Sequence, residues 1–309
     1  MSGYIDLQVN GYAGVDFNSD HLATDEVLRV CRRLKVDGTD SILATVITAR
    51  LDLMIRRIDR LVELIEGSPE IAECIRGIHV EGPFLNPRDG FIGAHPVADA
   101  IPADISVAHQ LLEAGDGHIK MVTLAPERDS DARVTRLLTN HGIAVAAGHS
   151  NASLDDLQRS IDQGLKLFTH LGNGCPASLP RHDNIVQRVL AVSDQLKISF
   201  IADGHHVPAF ALRNYLAMIP DENIVIVTDA ISAAGLGPGS YELSGQVVEV
   251  DDDGAAWAAC RTHYAGCAST FQQMIEVLKG PVGVSDEQIH QWMITNPLQL
   301  LAADQASGG

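Results

Sequence analysis

The chain has 309 residues, of which 46% are hydrophobic, and a formal net charge of −18 at pH 7. This size and apolar content allow a large core, whereas the strong negative charge argues against nucleic acid and anionic membranes as partners, since both bind basic surfaces. No run of about eighteen apolar residues occurs, so we expect no transmembrane helix.

Eight short apolar runs, mostly rich in β-branched residues, are typical of strands that are buried on both faces. They are residues 4–10, 41–47, 75–81, 119–124, 143–148, 166–170, 197–202 and 223–229. Helical patterns separate most of them. Val27, Val30, Cys31 and Leu34 share one helix face, for example, with Thr24 as its expected N-cap.

Further helix signals are a capping residue at Ser153 and a proline, Pro208, at an expected first helical position. Strands that alternate with helices predict a parallel sheet closed as a (β/α)8 TIM barrel, formed as a single domain over residues 1–309. Beyond the eighth strand, residues 241–260 predict a hairpin around 252–254. Two helical segments follow, near 267–279 and 285–302.

The N-terminus and the cysteines predict a cytoplasmic protein. Residues 1–6 have neither a basic segment nor an apolar stretch, so we do not expect them to form a signal peptide. The five cysteines are scattered and contain no Cys-x-x-Cys pair, which favours reduced thiols.

Polar residues lie at the ends of the predicted strands, where TIM barrels carry their catalytic groups. These residues are Gln8, Asn10, Glu81, His149, His170, Asp203, His205, His206 and Asp229. Glu81, His149 and His170 predict one divalent zinc or iron(II) ion, with an open position for a water whose pKa it would lower. Each of them alone is more often a structural residue, but three together at strand ends favour a site.

Asp229 ends an otherwise apolar strand and could accept the proton of that water and deliver it to a leaving amine. The alternative is a capping role for Asp229 at the start of residues 230–232. His95, in the loop 90–95, could stabilise an oxyanion, although a loop histidine is more often a surface residue. Asn173 and Gly174 could hold polar substrate atoms.

Arg181, His182, His205 and His206 form the most basic cluster of this acidic chain. Such a cluster could bind a phosphate group. Solvated loop charge is the alternative explanation of the same residues.

Seven short motifs occur in an order that resembles the N-acetylglucosamine-6-phosphate deacetylases, from Ile5 to about Leu301. The motifs span residues 5–11, 79–86, 122–127, 147–152, 169–173, 201–207 and 227–230. The resemblance implies a metal-dependent amidohydrolase that removes the N-acetyl group of N-acetylglucosamine 6-phosphate.

The resemblance also implies roles for individual residues. The ligands of a single metal would be Glu81, His149 and His170, and Gln8 would contact this metal through a water. Asp229 would act as acid and base, and His95 would polarise the acetyl carbonyl. The substrate contacts would be Ala94, His95, Asn173, Gly174 and His206. Arg181 would reach the sugar phosphate from a neighbouring subunit, which implies a homodimer.

This chain differs from the family pattern at three places. Segments for the usual small β-sandwich are not evident, so we expect that accessory domain to be absent or truncated. Gly172 replaces a bulky residue, and residues 264–267 (Tyr-Ala-Gly-Cys) replace a Leu-Ala-Gly-Ser-like loop. Both changes could alter sugar preference. An amidohydrolase for another N-acylated or cyclic amide, and a non-catalytic sugar-phosphate-binding barrel, remain the alternatives.

Overall fold

The computed structural model describes residues 3–261 and 263–302, and its main element is one eight-stranded parallel sheet. The strands of this sheet are β1 (Tyr4–Val9), β4 (Thr39–Ile47), β5 (Ile75–Glu81), β6 (Ile119–Leu124), β7 (Ala144–Ala147), β8 (Leu165–Phe168), β9 (Lys197–Ile201) and β10 (Ile224–Val227), which pair in that order. A small hairpin, β2 (Gly11–Tyr12) and β3 (Val15–Asp16), follows the first strand. The predicted TIM barrel is therefore confirmed.

Side chains and a single bridge join the first and last strands. Val9 and Ala230 form an isolated parallel bridge, and the Thr228 hydroxyl donates to the Asp6 carboxylate. Asp6 is 2% exposed, and burial raises the pKa of its carboxyl to about 7, although the hydrogen bonds from Thr228 oppose this shift. These contacts close the sheet beneath Asp229.

Helices cover the outside of the barrel. They are α1 (Thr24–Val36), α2 (Leu51–Gly67), α3 (Pro69–Cys74), α4 (Ile105–Gly115), α5 (Arg133–Asn140), α6 (Leu154–Asp162), α7 (Ile185–Leu190) and α8 (Ala209–Leu216). The predicted apolar face of α1 is buried, and Ser153 caps α6 as expected. Two predicted helix starts were wrong by one residue. The N-cap of α1 is Ala23 and not Thr24, and the Glu26 carboxylate accepts a hydrogen bond from the Ala23 amide. Pro208 is the N-cap of α8 and not its first residue.

The segment after the barrel is a three-stranded antiparallel sheet, which contains the predicted hairpin around 252–254 and one further strand before it. The strands are β11 (Gly239–Leu243), β12 (Gln246–Val250) and β13 (Ala256–Ala258). A first turn at Ser244–Gly245 has positive φ at both residues, as a two-residue hairpin turn requires. The predicted turn near Asp252 joins β12 to β13. Apolar residues of this sheet pack on Ile47 and Ile231 at the mouth of the barrel.

The chain then returns to the barrel through α9 (Phe271–Val277), α10 (Asp286–His290) and α11 (Asn296–Ala302), with one π-helical segment after α9 and another after α10. The two predicted helical segments are confirmed, except that α9 begins at Phe271 and not near 267. Within the part of the chain that the structure describes, no helix is both long and apolar enough to span a bilayer.

Candidate active site

The barrel brings the predicted chemical groups to one end of the sheet. Glu81 is the last residue of β5, whereas His149, His170 and Asp229 each lie two residues beyond the end of a strand. These last three have φ angles of 49°, 35° and 52°, in the left-handed region that L-residues rarely adopt. Such a conformation costs about 1 kcal/mol for each residue, and it concentrates at functional sites.

Two glycines bring other loops against the imidazole of His149. A Cβ atom at Gly174 would lie 2.9 Å from His149 Nδ1, and one at Gly93 would lie 3.0 Å from His149 Cε1. Both glycines have positive φ. Glycine is required at both positions because no larger residue would leave room for the ring. In the free chain, Gly174 thus packs on His149 and also lines the cavity.

Three imidazoles surround one buried carboxylate. Oε1 of Glu81 lies 3.0 Å from Nε2 of His170 and 3.3 Å from Nε2 of His149. His95 approaches from the other side, with its Nε2 3.2 Å from His149 Nε2 and 3.9 Å from Glu81 Oε2. The ligand atoms of Glu81, His95 and His149 all lie within 4.8 Å of one another, and His170 contacts the same oxygen of Glu81 as His149.

The donor set fits a cation. His149 Nδ1 donates to the Phe91 carbonyl oxygen over 2.8 Å, which orients the ring so that Nε2 faces Glu81. Nε2 of His95 and Nε2 of His149 face each other at hydrogen-bond distance, and the buried Nδ1 atoms of His95 and His170 have no protein partner. A carboxylate with convergent imidazole nitrogens is the ligand set that zinc and iron(II) prefer.

The electrostatics of the cluster depend on burial and on the carboxylate. Burial alone would raise the pKa of Glu81, but its contacts with His149 and His170 hold that pKa well below the ordinary value. Burial opposes the charging of His170, yet the hydrogen bond to Glu81 raises its pKa. Burial and then the neighbouring His149 lower the pKa of His95 to about 3, so His95 is a neutral imidazole at neutral pH.

Asp229 lies next to this cluster and receives two side-chain amides. Asn10 Nδ2 donates to Asp229 Oδ1 over 2.7 Å, and Gln8 Nε2 donates to the same oxygen over 3.1 Å. Burial, followed by the negative charge of Glu81, raises the pKa of Asp229 to about 6. The carboxylate is thus both oriented and made more basic, as a proton acceptor near neutral pH requires.

Gln8 links Asp229 to the cluster directly. Its Nε2 also donates to Glu81 Oε1 over 3.0 Å, and its Oε1 accepts from the Thr169 hydroxyl. The predicted water-mediated role of Gln8 toward a metal remains a prediction. The direct contacts show that Gln8 holds the two carboxylates at a set spacing.

These groups open into a cavity of about 600 Å³ at the mouth of the barrel, a volume that suits a small-molecule ligand. The predicted substrate contacts that line it are Ala94, His95, Asn173, Gly174 and His206. The buried side-chain amide nitrogen of Asn173 has no protein partner. Arg181 and His182 are exposed and lie outside the cavity lining of their own chain.

Sequence reasoning missed two supporting arrangements. Asp203 Oδ2 accepts from His206 Nδ1 over 2.7 Å and from the Cys267 thiol over 3.4 Å, which fixes the His206 ring. Glu127 accepts from the Ser150 hydroxyl and the Asn151 amide, just beyond His149. Asp203 and Glu127 both lie in the motifs that carry the family resemblance, and that was the available signal.

No family model matches the sequence. The N-acetylglucosamine-6-phosphate deacetylase of Bos taurus is 33% identical over 317 residues, which cover 99% of this chain and 75% of the bovine protein. This chain belongs to the N-acetylglucosamine-6-phosphate deacetylase family.

Two further proteins are similar to this chain, one by structure and one by sequence. A mutant of the Mycobacterium smegmatis N-acetyl-D-glucosamine-6-phosphate deacetylase, in complex with N-acetyl-D-glucosamine-6-phosphate, superposes with a TM-score of 0.87 at 26% identity, covering 97% of this chain and 77% of the other. An N-acetylgalactosamine-6-phosphate deacetylase of Escherichia coli O157:H7 is 28% identical and covers 99% of this chain and 78% of that protein.

Proposed function

We propose that this chain hydrolyses the acetamide of N-acetylglucosamine 6-phosphate to glucosamine 6-phosphate and acetate. The observation that carries the proposal is one cavity that holds a buried carboxylate with convergent imidazoles and, beside them, a second carboxylate of raised pKa. Membership of the deacetylase family supports the choice of substrate.

Glu81, His149 and His170 would hold one divalent cation, zinc or iron(II). His149 and His170 both approach the same oxygen of Glu81, at 3.3 Å and 3.0 Å, and this supports assigning His170 and not His95 as the third ligand. When bound, such a cation acts as a Lewis acid and lowers the pKa of water.

Asp229 is the acid and base of the proposed reaction. Its Oδ1 is held by the amides of Asn10 and Gln8, so the carboxylate is positioned to take a proton from the attacking water. The same group then returns the proton to the amide nitrogen as the C–N bond breaks, which is needed because an amine anion is a poor leaving group.

His95 would stabilise the negative charge that develops on the acetyl oxygen. It is neutral at neutral pH, because burial lowers its pKa to about 3, and a neutral imidazole keeps one N–H to donate. Asn173, whose amide nitrogen is buried without a protein partner, adds a second donor at the same cavity.

The phosphate is assigned to His206 and to Arg181 of a second copy of the chain, in a homodimer. Arg181 is exposed and does not line the cavity of its own chain, which supports a role in the neighbouring subunit. Arg181→Ala should raise KM for the phosphorylated sugar and leave unphosphorylated N-acetylglucosamine unaffected. An equal loss for both sugars would contradict this role.

We place the protein in the cytoplasm and treat residues 1–309 as one catalytic domain. Cys31, Cys74, Cys175 and Cys267 are free thiols, which supports a reducing compartment. All of the assigned groups lie on the barrel and its loops, which supports the assignment of catalysis to this domain alone.

The deciding experiment is acetate release by the zinc- or iron-loaded protein, compared with Asp229→Asn, which keeps the shape of the side chain. We expect a loss of roughly 10²–10⁴-fold in the variant. Turnover of N-acetylglucosamine 6-phosphate at the same rate as other N-acyl amides would favour a broader amidohydrolase. Sugar-phosphate binding without turnover, at full metal occupancy, would favour a non-catalytic barrel.

A further inference from the structure

Three aromatic rings lie next to one another at the candidate active-site cavity. The centroids of Trp257 and Tyr264 are 4.4 Å apart with an angle of 48° between the rings, and Tyr264 and His206 are 4.9 Å apart with an angle of 47°. All three residues line the same cavity as His95 and Asp229. We call Trp257 and Tyr264 the aromatic wall.

Hydrogen bonds hold Trp257 and the neighbouring His206 ring in place. The indole Nε1 of Trp257 donates to Asp251 Oδ2 over 2.8 Å, and His206 Nδ1 is bound to Asp203 Oδ2 over 2.7 Å. Trp257 and Tyr264 also face each other across an antiparallel bridge. The rings are therefore ordered before any ligand arrives, which lowers the entropic cost of binding.

The wall is also tied to the candidate catalytic carboxylate. The amide of Cys267, three residues after Tyr264, donates to the carbonyl of Asp229 over 2.9 Å. Gly266 permits this approach, since a Cβ atom there would lie 2.3 Å from a side-chain carbon of Ile231. A ligand stacked on the wall would thus have a defined position relative to Asp229.

Core packing does not account for the wall. Both rings are only partly buried, and among the described residues the two apolar clusters of the core contain neither of them. Aromatic rings that are kept partly exposed inside a polar cavity are typical of ligand sites. A hexose offers such a ring a face of C–H groups, and its hydroxyls remain free for the polar side of the cavity.

We propose that Trp257 and Tyr264 bind the sugar ring of the substrate by stacking. The inference deepens the proposed deacetylase function and rests on it. Because the sugar ring does not change in the reaction, the wall binds substrate and transition state equally. Its loss therefore raises KM and leaves kcat nearly unchanged.

The first test is kinetic and uses the variants Tyr264→Leu and Trp257→Leu. We expect each variant to raise KM for N-acetylglucosamine 6-phosphate about three- to tenfold, because one aromatic stacking contact is lost. The kcat should stay within about twofold of wild type. Tyr264→Phe and Trp257→Phe, which keep a ring, should restore KM. Phe210→Leu is the matched control, because Phe210 is 67% exposed and lies outside the cavity lining.

The second test measures binding and needs no turnover. The chain has two tryptophans, and Trp292 is 1% exposed, so acrylamide should quench mainly Trp257. Glucosamine 6-phosphate should protect this fluorescence, and Trp257→Phe should abolish the quenchable fraction. An unchanged KM in both Leu variants would contradict the proposal that the aromatic wall binds the sugar. Quenching that glucosamine 6-phosphate does not alter would contradict it as well. Wild type without acetate release would instead overturn the proposed function, and the quenching experiment would still test the wall.

Discussion

Two clusters of ligand-type side chains lie at the mouth of the barrel, and they differ in how many of their polar atoms have hydrogen-bond partners. In the cluster of Asp203, His206 and Cys267, the carboxylate accepts from two backbone amides, one imidazole and one thiol. In the cluster of Glu81, His95, His149 and His170, imidazole nitrogens face each other and two Nδ1 atoms have no protein partner.

This difference shows why residue type and proximity do not define a metal site. Ligand atoms of Glu81, His95 and His149 lie within 4.8 Å of one another, and so do those of Asp203, His206 and Cys267. Buried polar groups need partners, and the second cluster supplies its own. In the first cluster, Nε2 of His95 and Nε2 of His149 face each other at 3.2 Å beside Glu81, and a cation would satisfy these convergent nitrogens. We therefore assign the metal to the first cluster and a positioning role toward His206 to Asp203.

The largest expected effect comes from Glu81→Gln, which keeps the size of the side chain and removes its charge. Metal content should fall to near zero, and acetate release should fall roughly a thousandfold or more, because the Lewis acid is lost. Elemental analysis and an acetate assay measure the two effects. Asp203→Asn is the matched control and should keep the metal. Equal metal loss in both variants would remove the distinction between the clusters.

A second prediction separates the roles of His170 and His95 within the first cluster. His170→Asn should lose the metal, since a proposed ligand is removed. His95→Asn should retain it and lower kcat by roughly 10²–10³-fold, the usual cost of losing one oxyanion donor. Metal stoichiometry together with kcat decides this. If His95→Asn empties the site and His170→Asn does not, the ligand assignment is reversed.

A third prediction concerns acid stability and Asp203. Burial opposes ionisation of this carboxyl, but His206 and the surrounding hydrogen bonds lower its pKa from 3.8 to about 2. A lowered folded-state pKa stabilises the protein fully above about pH 4, and the stabilisation disappears as the pH falls to about 2. The difference in the free energy of unfolding between wild type and Asp203→Asn should therefore shrink by about 2 kcal/mol between pH 5 and pH 2.

Urea denaturation of both proteins across this range measures the difference. Asp253→Asn, a change at an exposed turn position, is the control and should show no comparable change. A constant difference between wild type and Asp203→Asn would contradict the lowered pKa of Asp203.

The smallest expected effect is that of Cys267→Ser. The thiol is 1% exposed and donates to Asp203, and burial raises its pKa well above the ordinary range, so it stays protonated. A serine hydroxyl can donate in the same place, and we expect the free energy of unfolding to change by less than about 1 kcal/mol. A thermal melt and a KM measurement test this. A large loss of metal in this variant would indicate that the cluster of Asp203, His206 and Cys267 binds metal.

Several features were predictable because they are encoded locally. Runs of β-branched residues predicted all eight barrel strands, and the residues at their ends predicted where Glu81, His149, His170 and Asp229 would meet. The apolar spacing in 27–34 predicted the buried face of α1. The first turn of the three-stranded sheet was missed, because Ser244–Gly245 lies within a polar stretch without a strong break in pattern.

The sequence by itself determined the alternation of strands and helices, because this follows from local periodicity. It also determined the set of polar groups at one end of the barrel, because parallel strands all end on the same side. Only the tertiary structure decided which atoms meet: that His149 presents Nε2 to Glu81, that Gly93 and Gly174 enclose its ring, and that Tyr264 packs beside His206. The physical reason is that these contacts join segments far apart in the chain, and their geometry depends on barrel closure and loop packing, which no local pattern records.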